Sequence, residues 1–209
     1  MVSHFPKYRE RGAYHWIWYK TNKHLYRDYA HKIIEYFPDK GILLDIGCGD
    51  GLMAYLFFRR GLHVTGIDLD EVGINLGRKA IAKQYLKDYP WYFFRSFGHD
   101  GTYGWLESKG ISLRHLSINN LPDSEKFDYA LCQEVIEHVA EPRLLVNKAL
   151  SVVRKYTVIT TPNGDYHEPG PYDQKLWKLE ELREFLGTNR TETLFLDRNR
   201  ICVRLWSVI

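Results

Sequence analysis

The sequence predicts an α/β fold built on a mostly parallel sheet, and three features predict it. Short apolar runs alternate with helical patterns over residues 42–87. The alternation resumes after Gly110. The chain then ends in two β-rich runs around the polar tetrapeptide Asp197-Arg198-Asn199-Arg200. Strand–helix alternation implies parallel strands joined by helical crossovers. A polar turn between β-rich runs implies an antiparallel hairpin.

The elements follow in order. Residues 12–36 repeat apolar side chains at helical spacing (Ile17, Tyr26, Tyr29, Ile33, Ile34) and read as one or two helices ending before Pro38. Asp39-Lys40-Gly41 is a turn. Ile42-Leu43-Leu44-Asp45-Ile46 is a short apolar run, as expected of a strand buried on both faces. A glycine-rich turn follows, then a helix over 52–60 closed by Gly61. Residues 63–68 form the next strand, and 70–87 a helix with Asp70 as its cap. Residues 88–110 carry Pro90, four glycines and many aromatics, and read as an inserted loop or small subdomain. Strands are expected at 111–117, 127–133 and 156–161, helices at 142–153 and 179–186, and the hairpin at 191–196 and 201–208.

Composition bounds the function. The chain has 209 residues, 44% hydrophobic and 26% charged, which excludes a largely disordered or fibrous protein. One domain over 1–209 is expected, with a helical cap over 1–38 and the 88–110 insertion. Lys+Arg is 29 against Asp+Glu 26, a net charge of +3, and no concentrated basic patch argues for a nucleic-acid partner. Cys48, Cys132 and Cys202 are far apart and lack CxxC spacing, so neither a zinc ribbon nor a disulfide framework is expected. The first residues contain no secretory apolar region, and no window approaches 18 apolar residues. A cytoplasmic setting is the expectation. Aromatics reach 15%, clustered at Tyr14, Trp16, Trp18, Tyr19 and at 85–94, where they either fill a core or line a ligand site.

The turn after the first strand is Gly47-Cys48-Gly49-Asp50-Gly51. A glycine-rich turn between strand and helix lets a ligand approach the backbone. The pattern is GxGxG, not the dinucleotide GxGxxG, since Leu52 stands at the third fingerprint position. Asp45, two places before the loop, would repel a pyrophosphate but attract a cation. Asp68, 21 residues after Gly47 at the end of the second strand, can accept both hydroxyls of a ribose. A ligand with a ribose and a cationic part is S-adenosylmethionine.

Leu44-Asp45-Ile46-Gly47-Cys48-Gly49-Asp50-Gly51, Gly66-Ile67-Asp68-Leu69-Asp70, and Phe127-Asp128 through Glu134-Val135-Ile136-Glu137-His138-Val139 resemble class I S-adenosylmethionine-dependent methyltransferases. The resemblance covers about residues 40–209 and is to the broad group that includes the ubiquinone-biosynthesis O-methyltransferases. It implies a Rossmann-like seven-stranded sheet with an antiparallel C-terminal hairpin and helices on both faces. It also implies that Asp45, Gly47, Cys48, Gly49 and Gly51 surround the methionine part. Asp68 would bind the ribose, and Leu69 would pack on the adenine. The family's usual acidic residue after the third strand is replaced by Ser117, followed by Ile118. Asp128 and the backbone near Cys132 and Gln133 would lie beside the cofactor.

Methyl transfer from a sulfonium is an in-line displacement, for which a protein supplies alignment and, for a hydroxyl acceptor, a base. Glu134-Val135-Ile136-Glu137-His138 is the richest polar cluster. At helical spacing Glu134 shares a face with Glu137 or His138. His138 is the candidate base, with Glu137 beside it. In some resembling enzymes ExxEH ligates a divalent metal. Here Asp173 stands where those enzymes have a further histidine, and the reading for this chain is no metal. Tyr14 and His15 are candidates for an N-terminal lid over the cofactor. The reading is therefore a methyltransferase acting on a small molecule, at an oxygen. The alternatives are an RNA methyltransferase with a metal-assisted ExxEH site, or a cofactor-binding protein without turnover.

Overall fold

The computed structural model describes residues 7–89 and 98–207, with 98–100 described by backbone alone. Its contacts concentrate in two compact units, Met1–Leu116 and Ser117–Ile209. The seven strands form one sheet of order β3-β2-β1-β4-β5-β7-β6, where β1 is Ile42–Ile46, β2 His63–Asp68, β3 Ile111–His115, β4 Phe127–Gln133, β5 Val153–Pro162, β6 Thr191–Leu196 and β7 Arg200–Trp206.

The first unit opens with three short helices, α1 (Lys7–Arg11), α2 (Tyr14–Thr21) and α3 (Tyr26–Ile34). The sequence reading misses α1. The one or two helices expected over 12–36 are two, divided after α2 where Asn22, His24 and Leu25 all adopt left-handed backbone (φ 51°, 56° and 55°). Then come β1, α4 (Leu52–Arg60) and β2. Leu43, Leu44, Val64 and Ile67 are buried, as two-sided burial of a parallel strand requires. Gly61 ends α4 at φ 111°, and its N–H reaches the Phe57 and Phe58 carbonyls. In α5 (Glu71–Asp88), Asp70 is the cap, its carboxylate accepting from the N–H groups of Val72 (2.9 Å) and Gly73 (3.0 Å).

The stretch 88–110, expected as an inserted loop or small subdomain, is not loop throughout. Residues 98–108 form helix α6 (Gly98–Ser108). Glycines and aromatics disguise it in the sequence, but Tyr103 and Leu106 are buried. The Tyr103 hydroxyl accepts from the Leu113 N–H at 2.7 Å, and Arg78 donates to the Leu113 carbonyl at 2.7 Å. Both backbone groups belong to β3, an end strand of the sheet, so α5 and α6 cover that edge. The aromatics at 91–94 lie outside the described residues.

In the second unit, β4 and β5 pair in parallel, and β7 pairs antiparallel with both β5 and β6. Helix α7 (Pro142–Val152) opens on a proline and runs directly into β5. Helix α8 (Leu179–Leu186) buries Leu182 and Leu186. The mostly parallel sheet with a terminal antiparallel hairpin is the one the sequence predicts.

Two helix glycines mark close approaches. A Cβ on Gly77 would lie 2.8 Å from both the Asp50 carbonyl oxygen and Leu113 Cδ1. Alanine favours an isolated helix by about 1 kcal/mol over glycine. The contact with immobile backbone outweighs that here. Gly77→Ala should lower stability by about 1–3 kcal/mol through overpacking, read as a lower denaturation midpoint at unchanged m-value.

Candidate active site

In the first unit the site elements meet at the carboxyl ends of β1 and β2. The N–H groups of Gly47 and Cys48 both donate to the Ile67 carbonyl, at 2.8 and 3.0 Å. The Gly49 N–H donates to Asp68 Oδ2 at 2.7 Å. These loop donors are thus engaged by β2, so the loop is not a phosphate cradle of the dinucleotide kind. Asp68 Oδ1 accepts from the Asp70 N–H at 2.8 Å. Each carboxylate oxygen carries a second lone pair, so Asp68 is both positioned and able to accept two further donors. Burial raises its pKa, against which the backbone bonds from Asp70 and Gly49 work.

Asp45 lies beneath the loop and is 2% exposed. Its Oδ2 is buried with no hydrogen-bond partner among the described residues. Burial, then the Asp68 charge, pushes its pKa up to about 7. A buried carboxylate oxygen without a donor is costly, and a cationic donor is the partner that relieves it. Leu69 is 47% exposed directly after Asp68, an apolar side chain left uncovered beside two polar anchors. An orphaned acceptor, a positioned carboxylate and an exposed apolar face fit the ammonium, ribose and adenine of S-adenosylmethionine.

The loop glycines divide. A Cβ on Gly51 would meet Leu113 Cδ1 at 2.6 Å and Ile81 Cδ1 at 3.2 Å, so Gly51 packs into the core under the loop. Cys48 is also packing: its Sγ would lie 2.8 Å from a Cβ on Gly66. Burial, with neighbouring aspartates, holds its thiol well above the ordinary range. Gly49 faces elsewhere. A Cβ there would fall 1.9 Å from the Tyr8 hydroxyl, and one on Gly73 would fall 2.9 Å from the Tyr8 ring.

Tyr8 is one residue the sequence reading misses, and Asp50 is another. Tyr8 stacks on Tyr14 with ring centroids 5.4 Å apart. Asp50 is fully buried. Its carboxylate accepts from the His15 N–H at 3.0 Å and lies 3.1 Å from His15 Nδ1, while its carbonyl accepts from Trp16 Nε1 at 2.8 Å. The start of α2 is thereby fastened to the glycine loop, and this is where Tyr14 and His15 stand. The glycines at 73 and 77, one helical turn apart in α5, are the sequence trace of this close approach.

In the second unit, Ser117 caps a short 3₁₀ turn, its hydroxyl accepting from the Asn119 N–H at 3.3 Å. Ile118 is buried beside it. Gln133, the last residue of β4, has a buried Oε1 without a partner among the described residues. The segment after it departs from the sequence reading. Glu134 is not on a helical face with Glu137. It takes left-handed backbone (φ 53°), and only Ile136–His138 form a 3₁₀ turn. Thr160 Oγ1 donates to Glu134 Oε1 at 3.1 Å, and Arg200 Nε lies 3.5 Å from the same oxygen. Thr161 Oγ1 donates to Glu137 Oε2 at 3.2 Å. The two carboxylates are thus held by different residues of β5.

Glu137 is 1% exposed, and burial, with the Glu134 charge, raises its carboxyl well above the usual range. Its carbonyl accepts from the N–H groups of Gln174 and Lys175. His138 is partly exposed. Its Nδ1 lies 3.0 Å from Asp173 Oδ1 and 3.3 Å from the Tyr172 carbonyl oxygen. Asp173 is held in turn by the Gly170 N–H, which donates to its Oδ2 at 2.6 Å. His138 Nε2 is 3.9 Å from Glu137 Oε1, outside hydrogen-bond range. Two oxygens at Nδ1 place a ring proton there and fix the orientation of the imidazole. Among the described residues, no three His, Cys, Asp or Glu side chains are grouped so as to hold a metal ion, and no helix is long and apolar enough to cross a membrane.

A glycine loop after β1, a carboxylate ending β2 and a sheet finished by an antiparallel hairpin define a class I S-adenosylmethionine-dependent methyltransferase fold. A family model described as a methyltransferase domain matches residues 18–193, and the chain belongs to that family. It is similar to the ubiquinone biosynthesis O-methyltransferases of Alkalilimnicola ehrlichii (27% identical over 114 residues, 54% of this chain and 37% of that protein) and Hahella chejuensis (27% over 119 residues, 56% and 40%). The matched region thus spans about two fifths of those curated relatives. Among solved structures, a Pyrococcus horikoshii protein covers 97% of this chain and 95% of its own, with a TM-score of 0.62 at 14% identity. Magnesium protoporphyrin IX methyltransferase from Synechocystis, solved with bound SAH, covers 86% and 80%, with a TM-score of 0.59 at 15% identity.

Proposed function

We propose that the chain methylates an oxygen of a small-molecule acceptor, with S-adenosylmethionine as the methyl donor. The cofactor supplies an electrophilic methyl group on a sulfonium leaving group. Asp45 would hold the ammonium, Asp68 the ribose hydroxyls, and Leu69 the adenine face, with Ser117, Ile118 and Gln133 as further cofactor contacts. Gly47 would let the cofactor approach the loop backbone, and Gly49 makes room for the Tyr8 hydroxyl above it. Tyr14 and His15, with Tyr8, would form the cover over it.

The observation that carries the oxygen target is the clamp on His138. Asp173 and the Tyr172 carbonyl orient the His138 ring through Nδ1, and an oriented imidazole is a suitable base for an acceptor hydroxyl. Glu137 is buried and braces the turn from below, acting as a positioning residue. The names of the O-methyltransferase relatives support an oxygen target. The whole protein's activity rests on this reading.

Calorimetric titration with S-adenosylmethionine and with its demethylated product tests it, followed by methyl-label release on a panel of phenols and alcohols. Saturable binding of both ligands and label transfer to a hydroxyl are expected. No binding of either ligand would sink the reading. Binding without transfer to any hydroxyl, but with transfer to amines, would overturn the oxygen assignment.

A further inference from the structure

A cavity of about 540 Å³ opens within the N-terminal helices, lined by Arg11, Tyr14, Ile17, Trp18, Lys23 and His24. Its chemistry is one-sided. The lining has two permanent cations, a histidine and two large rings, and no carboxylate. Neither the Arg11 nor the Lys23 side chain makes a hydrogen bond or ion pair among the described residues. Asp28 accepts from Asn22 Nδ2 at 2.9 Å and Asp50 holds His15, while Glu10, beside Arg11 in the sequence, does not line the cavity.

The rings are ordered around Trp18. Tyr14 meets it edge-on at 4.7 Å, His24 at 5.1 Å and Tyr26 at 5.9 Å. Ile17 is 57% exposed at the same wall. The segment that carries Lys23 and His24 holds three non-glycine residues in left-handed backbone, a conformation L-residues avoid unless the surroundings impose it. Asn22 fixes it, accepting from the Arg27 N–H at 3.0 Å. Tyr14 links this cavity to the glycine loop, because it stacks on Tyr8, whose hydroxyl lies over Gly49.

We propose that this cavity binds a small aromatic carboxylate, its ring against Trp18 and Tyr14 and its anion between Arg11 and Lys23, and that such molecules are the acceptor class. The acceptor role rests on the methyl-transfer reading; the binding does not. Cation pairs recognise carboxylates by charge-assisted hydrogen bonds, and planar rings stack on aromatic walls.

The test is calorimetric titration of the full chain with 2-naphthoate and with neutral 2-naphthamide, alongside S-adenosylhomocysteine. Naphthoate should bind at one site, at least tenfold tighter than the amide, and more weakly at high salt. The double variant Arg11→Gln/Lys23→Gln should lose at least tenfold in naphthoate affinity at unchanged melting temperature, since both side chains are exposed. Trp18→Ala should weaken both compounds. Equal affinity for the two compounds, no naphthoate binding up to millimolar concentration, or a double variant that binds naphthoate like the parent would overturn the proposal. Loss of S-adenosylhomocysteine binding with naphthoate binding intact would remove the methyl-transfer reading and leave the cavity as a carboxylate site.

Discussion

Asp45→Asn should stabilise the unliganded protein at pH 8 and remove most of its affinity for S-adenosylmethionine. The two effects have one cause. Asp45 is buried, with one carboxylate oxygen lacking a partner among the described residues. Its pKa is pushed up to about 7 from an ordinary 3.8. A carboxyl whose folded pKa is raised binds its proton more tightly in the native state than in the unfolded chain. Its contribution therefore favours folding below about pH 4 and is lost as pH rises toward 7. Three pH units at 1.36 kcal/mol each make the contribution on the order of 4 kcal/mol. Asp68 and Glu137 are raised in the same direction, so unliganded protein should melt lower at pH 8 than at pH 5.5. Asparagine removes the Asp45 share. The variant should melt about 5 °C or more above the parent at pH 8, by a smaller margin at pH 5, and differ little from it below about pH 4.

Binding should move the opposite way. An ammonium beside Asp45 pairs with the ionised form, so cofactor uptake releases a proton when the pH is below 7. Affinity for the parent should rise with pH up to about 7, then decline above about 8 as the ligand's amino group loses its own proton. The variant should bind some 30- to 1000-fold more weakly, the scale for removing one partner of a buried charge pair. Its rise below pH 7 should vanish. A variant destabilised at pH 8 as much as at pH 5, or one binding with parental affinity, would place the ammonium elsewhere.

The fold was largely legible because buried parallel strands are short apolar runs with conspicuous ends. β1 and β4, and helix α8, fall where the pattern places them. Helix α6 was not legible. Gly98, Gly101 and Gly104 read as loop residues, and what makes the segment helical is tertiary: Tyr103 and Leu106 are buried, and the Tyr103 hydroxyl closes the edge of β3. The site was legible where chemistry and spacing coincide, as at Asp45 and Asp68. It was not legible where two identical residues differ only in what lies above them. Gly49 and Gly51 read alike in the sequence. One lies under the Tyr8 hydroxyl, and the other packs against Leu113. The left-handed backbone at Glu134 is equally silent in sequence. It removes Glu134 from the face of Glu137 and separates what helical spacing joins.

His138→Ala should lower kcat by about 100- to 10,000-fold, the range for a positioned base, with the affinity for S-adenosylmethionine unchanged. Asp173→Asn separates a base from a structural brace. The Asp173 carboxylate accepts the Nδ1 proton of His138 at 3.0 Å. An amide there can turn its N–H₂ toward the ring, which favours the opposite tautomer and places the proton on Nε2. The imidazole would then be present but unable to take a proton from the acceptor. The Tyr172 carbonyl at 3.3 Å still prefers the original tautomer, so the loss should be partial, about 10- to 100-fold in kcat with little change in KM. The residual rate of Asp173→Asn should keep its dependence on His138, so the double variant should be no slower than His138→Ala alone. Additive losses would mean that Asp173 acts through something other than the ring. A thiol or carboxylate acceptor of low pKa, already ionised at neutral pH, should be nearly indifferent to both substitutions, because it needs no proton removed. If such an acceptor is slowed as much as a hydroxyl, His138 is positioning the acceptor, not deprotonating it.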